Sequence, residues 1–395
     1  MARTYNTGDP ELDEAITRYL EREEAGPEAD LVREMITTSL KLVRDRADRG
    51  DLKILNSTLK EMRYSFKVFR AFRRVRKVSV FGSARLADHT ADFQQALEFS
   101  RAMAERGFMT ITGAGNGIMK AGNLGAGREM SFGLNIKLPF EQVANTAIEG
   151  DEKLINFRYF FTRKLAFLKE THAIVLFPGG FGTHDEGFEA LTLVQTGKSH
   201  MVPLVFVHPP GSEFWADWDA YIREHLLAKG LISPEDLSLY RITDDVRTAC
   251  DEVTNFYRRF HSMRYVHDDL VIRLEAPLEE AELEALNDEF SDLVMGGRIE
   301  PTSALPSEAD DEPIAHLPRL KFRFARRRFG RLRQLVDALN RLPLPPGSRV
   351  EVPEAGEGGL IPEEAGENGT GAPEAGASGS PGTRTSNEGP SRRRP

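Results

Sequence analysis

The sequence predicts an α/β core, a doubly wound parallel sheet with helices on both faces. Two observations predict it. Short apolar runs alternate with stretches of helical composition: V-S-V-F (78–81), F-M-T-I-T (108–112), L-N-I-K-L (134–138), A-I-V-L-F (173–177) and P-L-V-F-V (203–207). Three of these runs end in turns of glycine and small polar residues, at 82–83, 113–117 and 179–183. Alternation of this kind gives a Rossmann-like sheet, and glycine at the strand ends lets the backbone approach a ligand.

The elements follow in order. Residues 10–76 are rich in Glu, Lys, Arg and Leu and hold no proline after Pro27. One helix is expected from just after Pro27 to about Asp48, and another from Asp51 to about Arg74. Residues 1–76 thus read as an N-terminal helical arm. The α/β core occupies 77–262. Within it, a helix is expected over 92–107 with Gly107 as its stop, one after Gly117, one around 155–170 and one from Thr183. A small C-terminal α+β module follows at 263–343. It holds L-V-I-R-L-E (270–275), a helix over 278–290, R-I-E-P, L-K-F-R-F and a basic helix over 326–341. Residues 344–395 are mostly Pro, Gly, Glu and Ser. Such a composition buries too little apolar surface to offset its ordering entropy, so a disordered tail is expected.

A chain of 395 residues exceeds what one core usually holds. Its formal charge of −9 exerts no global pull toward nucleic acid or membrane. A single cysteine, Cys250, rules out an internal disulfide framework and fits a reducing cytoplasm. The first residues lack the apolar core of a secretory signal. No apolar run reaches the roughly 20 residues of a membrane helix. A cytoplasmic protein without membrane contact is expected. No His, Cys and acid cluster has metal-ligand spacing, so neither metal nor cofactor is expected. Two basic runs, 70–77 and 321–333, raise the question of nucleic acid. Exposed faces with long solvated side chains are the expected reading, and a nucleic-acid partner is not.

Ligands of a doubly wound sheet bind beyond the carboxyl ends of its strands. The candidate residues there are Gly82, Ser83, Gly113, Gly115, Gly117, Gly179, Gly180, Gly182 and Thr183. A helix start after a glycine turn offers free N–H groups and partial positive charge, suited to phosphate. A dinucleotide is disfavoured: 113–117 reads G-x-G-x-G, and L-N-I-K-L-P supplies no acid for a ribose hydroxyl. No Walker lysine follows either loop. A mononucleotide or sugar phosphate fits better.

Thr183-His184-Asp185-Glu186 matches the capping box T-x-x-E, in which Thr183 caps the helix and Glu186 caps back. A second reading is open beside it. An ionised Glu186 in the first helical turn, favoured by the helix dipole, would lie near a bound sugar. On the helix 157–170, Phe157, Phe160, Phe161, Leu165 and Leu168 form an apolar stripe. Arg163-Lys164 lies on the other face, which reads as solvated or as part of a site.

Together these residues resemble a family. Arg163-Lys164, then Pro178-Gly179-Gly180-x-Gly182-Thr183-x-x-Glu186, then Gln195-x-Gly197 and Pro203 look like the LOG ("Lonely Guy") family. V-F-G-S (80–83), G-A-G-N-G-I-M (113–119) and G-L-I-S-P (230–234) also match. The likeness covers about residues 77–258. LOG enzymes are cytokinin-riboside 5′-monophosphate phosphoribohydrolases, often mislabelled lysine decarboxylases. The resemblance implies that Arg163 and Glu186 are catalytic, and that Gly179, Gly180, Gly182 and Thr183, with Lys164 beside them, hold the 5′-phosphate. It also implies a homodimer or a multiple of one. Where cytokinin-type members read M-H-E-R-K, this chain reads Phe160-Phe161-Thr162-Arg163-Lys164. A cytokinin is therefore not the expected base, and the flanking domains are similar to larger bacterial nucleotide nucleosidases.

The reaction so implied is hydrolysis of the N-glycosidic bond of an AMP-like nucleoside 5′-monophosphate, giving free base and ribose 5-phosphate. No cofactor is implied, and pyridoxal chemistry has no supporting motif. The rival reading is a non-catalytic carrier of a phosphorylated ligand such as molybdenum cofactor, which the same glycine edge would serve.

Overall fold

The structure, a computed structural model, describes residues 5–23, 25–138, 143–308, 314–345 and 355. The expected disordered tail at 344–395 lies almost wholly outside the described residues. The chain divides between Ala47 and Asp48. In the first unit, α1 (Pro10–Arg22) starts at Asp9, whose carboxylate accepts from the Glu11 and Leu12 amides, and α2 (Ala29–Arg44) follows.

The second unit opens with α3 (Arg49–Phe69), capped by Asp48. Its last turns bury Met62, Ser65 and Phe69, and the Phe69 ring stacks on Phe132 at 4.4 Å. This helix belongs with the sheet. Then come β1 (Lys77–Phe81), α4 (Ala91–Glu105), β2 (Met109–Thr112), α5 (Ile118–Ala126), β3 (Ser131–Ile136) and β4 (Leu154–Phe157). They continue with α6 (Phe160–Glu170), β5 (Ala173–Leu176), α7 (Phe181–Gln195), β6 (Leu204–Val207), α8 (Phe214–Tyr221), β7 (Tyr240–Thr243) and α9 (Val246–Phe256). The seven strands are parallel throughout, in the order β4-β3-β2-β1-β5-β6-β7. The central strands β1, β2, β5 and β6 are buried at every position, as sheets covered on both faces require. The α/β, Rossmann-like reading therefore holds.

Two local expectations fail. Residues 155–170 are not one helix. Leu154–Phe157 pairs with β3 as the edge strand, and the helix starts only at Phe160. The expected apolar stripe is buried only at Phe157 and Leu168. Phe160, Phe161 and Leu165 are exposed, whereas Arg163 and Lys164 keep side-chain exposures of only 14% and 15%.

The C-terminal module begins with β8 (Phe260–Val266) and β9 (Asp269–Leu274). It continues with α10 (Glu280–Phe290), β10 (Glu300–Thr302), β11 (Arg319–Phe322) and α11 (Phe329–Arg341). Its antiparallel sheet has the order β10-β11-β9-β8. Glu308 is fully buried between two guanidiniums, 2.7 Å from Arg273 Nη2 and 3.0 Å from Arg319 Nε, so each charge there is paired. The module docks on the α/β core through α11. Gly197 has φ +71° and no side chain, and the Phe329 ring occupies the space one would need.

Candidate functional site

In this strand order the chain reverses its direction of travel between β1 and β5, which are neighbours. Doubly wound folds bind ligands at such a switch point. The turns after both strands meet there: the Ser83 amide donates to the Pro178 carbonyl at 3.0 Å. The turn after β2 joins them, because the Ile118 amide donates to the Ser83 carbonyl at 3.0 Å. The three glycine turns anticipated from sequence thus converge at one edge.

They are not equivalent. Gly82 sits against Ile118, where an added methyl would come within 2.6 Å of the side chain. Gly117 has φ +61°, and a methyl there would lie 2.2 Å from the Ser83 carbonyl oxygen. The Gly115 carbonyl accepts from Asn145 Nδ2 at 2.9 Å, and Gly113 packs on Met119. Asn145 Nδ2 also reaches Asn123 Oδ1 at 3.0 Å, and Thr112 Oγ1 donates to that same oxygen at 2.7 Å. Sequence reasoning missed Asn123 and Asn145, since each stands alone outside the glycine turns. Together they brace the loop in which Ala114 takes the left-handed φ of +59°. The turn after β5 differs. Gly179 is tight against Thr183 Oγ1 and the Ser83 amide, but Gly180 and Gly182 have none of the described residues within 4 Å of where a side chain would stand. The Thr183 and His184 amides return to the Gly180 carbonyl at 3.0 and 3.2 Å. The amides of Phe181 and Gly182 precede the helical ladder and are placed to receive an anion.

The capping box is not formed. α7 starts two residues earlier than expected, with Gly180 at its N-cap, so Thr183 is the third helical residue and Glu186 the sixth. Glu186 is buried at 6% exposure and turns inward. Its Oε1 lies 4.0 Å from Arg163 Nη2. That gap exceeds a hydrogen bond. Arg163 Nε is buried and has no hydrogen-bond partner among the described residues. The guanidinium sits over the Phe160 ring at 5.0 Å, and one of its nitrogens lies 3.6 Å from where a side chain on Gly113 would begin. An arginine with donors to offer and a buried carboxylate therefore face one another beneath the glycine turns.

Burial pushes the Glu186 carboxyl up to about 7; Lys164 and Arg163 oppose that rise, while Asp185 and Glu189 add to it. The expectation that the helix dipole favours the anion is thus outweighed by desolvation. Burial likewise lowers the Arg163 pKa, against the pull of Glu186. Lys164, expected beside the phosphate, is engaged elsewhere. Its Nζ lies 2.7 Å from Asp185 Oδ2 and 2.5 Å from Glu189 Oε2. Among the described residues no group of His, Cys, Asp and Glu has the geometry of a metal site.

Much of the second basic run is paired within the molecule. Arg323 meets Asp268, Arg328 meets Glu235 and Asp292, Arg331 meets Asp292, and Arg333 meets Glu252 and Asp337. No described helix is long and apolar enough to cross a membrane.

Residues 103–253 match the family described as possible lysine decarboxylase. The match runs from α4 into α9 and takes in both Arg163 and Glu186. The likeness read from the motifs is borne out at that level: this stretch of the α/β core is similar to the family under whose description LOG proteins are often found. No curated protein matches the chain. Among solved structures, the molybdenum cofactor carrier protein of Chlamydomonas reinhardtii aligns at 21% identity over 45% of this chain and 93% of that one, with a TM-score of 0.31. The molybdenum cofactor binding protein of Rippkaea orientalis aligns at 16% identity over 45% and 94%, TM-score 0.32. DNA processing protein A of Helicobacter pylori, described as binding single-stranded DNA, aligns at 13% over 47% and 81%, TM-score 0.33. Likenesses this distant carry no argument about what this chain binds.

Proposed function

We propose that this protein hydrolyses the N-glycosidic bond of an AMP-like nucleoside 5′-monophosphate, releasing the base and ribose 5-phosphate. The observation that carries the reading is the buried Glu186 facing Arg163 at 4.0 Å beneath an open, phosphate-suited helix start. Such a bond breaks through an oxocarbenium-like state. A fixed carboxylate beneath the ribose stabilises the growing positive charge more than it stabilises the ground state. Glu186 in its anionic form takes that role and orients the attacking water. Arg163 holds a ribose hydroxyl or a phosphate oxygen with its remaining donors. The amides of Phe181 and Gly182 receive the phosphate, with Gly180 leaving room for it. Pyridoxal-dependent decarboxylation fits the residues poorly. It needs a free amine, and the Lys164 Nζ is held by two carboxylates.

The reading includes a dimer in the cytoplasm. Leu52, Leu55 and Leu59 on α3 and Phe160, Phe161 and Leu165 on α6 leave apolar side chains in solvent, which a second copy would cover. Light scattering at micromolar concentration checks this; a monomer mass counts against it. The reaction is tested by chromatography of a nucleotide panel. Base is expected from AMP or a related monophosphate and not from the nucleoside. Equal release from adenosine would refute the phosphate argument. No release from any monophosphate would favour a carrier.

A further inference from the structure

We propose that Lys164 is a positioning residue for Glu186: it clamps the two other carboxylates of α7, keeps Glu186 available as the anion, and does not bind substrate phosphate. The catalytic meaning of this inference rests on the function proposed above. Asp185, Glu186 and Glu189 fall within five positions of α7. Asp185 and Glu189, four apart, share a face of the helix. Lys164 reaches across from α6 and lies between them, at 2.7 and 2.5 Å. The ammonium side chain is 15% exposed, whereas Asp185 is 65% exposed. Glu186 turns the other way, into the interior, and meets Arg163. The two neighbouring bases of α6 therefore serve different acids: Arg163 the inward one, Lys164 the outward pair.

The charged groups acting on Glu186 are Lys164 and Arg163 from α6 and Asp185 and Glu189 from α7. The first two favour its carboxylate and the last two disfavour it. Lys164 acts twice, by attracting Glu186 directly and by offsetting both like charges. Partly buried pairs of this kind are little screened by salt. Without Lys164, Glu186 would face two anions with Arg163 as its counter-charge among the described residues, and it would keep its proton to higher pH. A phosphate brought to Lys164 would meet Asp185 and Glu189 as well, which disfavours it there.

The test is Lys164→Met, measured as kcat/KM from pH 5 to 9.5. In parallel, the carboxyl-carbon NMR titration of Glu186 is followed in ¹³C-glutamate-labelled protein, assigned through Glu186→Gln. Both midpoints are expected to move upward, with about tenfold lost at low pH for each unit of movement, while KM at high pH stays near wild type. The triple variant Lys164→Met, Asp185→Asn, Glu189→Gln removes all three charges and should bring both midpoints back toward wild type. Should Lys164→Met fail to fold, Asp185→Asn and Glu189→Gln taken singly read the same coupling, with both midpoints moving down. A raised KM with unmoved midpoints overturns the proposal and assigns Lys164 to the phosphate. A pH-independent loss with an unmoved NMR midpoint also overturns it, leaving a structural strut. The NMR arm needs no turnover. If the wild type releases no base from any monophosphate, the proposed reaction fails, and the Glu186 midpoint still decides the role of Lys164.

Discussion

A methyl group placed on Gly180 or Gly182, in the turn after β5, meets no atom of the described residues within 4 Å. One placed on Gly82 or Gly117, in the turns after β1 and β2, collides with Ile118 or with the Ser83 carbonyl. All four glycines sit at the carboxyl edge of one sheet and look alike in sequence. Two let three loops pack against one another. Two leave a helix start bare. The difference separates a base, which must be rigid, from a lip, which must be approachable. Catalytic side chains gain from standing on the first and facing the second. Arg163 and Glu186, the pair proposed to act, each come from a helix packed on the sheet; they face one another at 4.0 Å, and Arg163 reaches the Gly113 turn.

The largest effect expected from breaking this arrangement is at Glu186. Glu186→Gln keeps shape and volume and removes the charge proposed to lie beneath the ribose. Turnover should fall by roughly 10²- to 10³-fold, about 3–4 kcal/mol of barrier. Stability should move the opposite way. Burial, which disfavours the anion, pushes the folded carboxyl up to about 7 from its ordinary value of 4.5. An acid with a raised folded pKa costs stability as pH rises from its unfolded to its folded value. The variant should therefore melt higher than wild type at pH 8, and that gain should vanish near pH 4. Normal turnover with normal binding would leave Glu186 a buried structural acid.

The next effect belongs to the base of the site. Gly117 combines φ +61° and ψ −131° with the Ser83 carbonyl in the place of a side chain. Gly117→Ala should cost about 2–3 kcal/mol of stability, from backbone strain and overpacking together. Denaturant unfolding reads this directly. A loss below about 0.5 kcal/mol, the range of ordinary surface substitutions, would show that the loops are not locked together as described.

Much of this was legible in the sequence. Apolar runs closed by glycine turns marked β1, β2 and β5, and these place the site. The edge was harder. Leu154–Phe157 runs into Phe160 and Phe161 through only two residues, Arg158 and Tyr159, with no glycine or proline between. Aromatic residues suit strands and helices alike, so the period changes without punctuation. Tyr240–Thr243 is half-exposed and mixed in polarity, and gives no apolar run. Within the site, the family resemblance singled out Glu186 and Arg163 but gave nothing of their environment. T-x-x-E fits a capping box at Thr183 equally well, and only the helix start at Gly180 removes that reading. The low exposure of Lys164 also depends on α7, whose Asp185 and Glu189 carboxylates flank its Nζ.

A smaller and graded effect is expected with pH. If Glu186 acts as the anion, kcat/KM should rise with pH through about 7, the value to which burial carries its carboxyl. The slope below that point should be about tenfold per pH unit. The phosphate of the substrate also titrates, near pH 6, but it does so alike with every variant. The limb belonging to Glu186 is the one that moves in Lys164→Met. An activity flat from pH 5.5 to 8 would exclude a carboxylate with this pKa from the rate.

The smallest effect is the one that tests the lip itself. Gly182 is the second residue of α7, it has no positive φ, and none of the described residues lies within 4 Å of a side chain placed there. Alanine is a better helix former than glycine by up to about 1 kcal/mol, so Gly182→Ala should leave the melting temperature unchanged or slightly raised. The methyl group would stand in the space through which an anion reaches the amides of Phe181 and Gly182. KM for the monophosphate should rise about three- to tenfold, on the order of 1 kcal/mol, with kcat changed little because Arg163 and Glu186 are untouched. The same substitution at Gly117 should do the reverse, lowering stability before it touches KM. The pair thus reads rigidity and access separately in one assay and one melt. If Gly182→Ala binds nucleotide as wild type does, the phosphate does not sit at this helix start, and the contrast between the two kinds of turn loses its functional meaning.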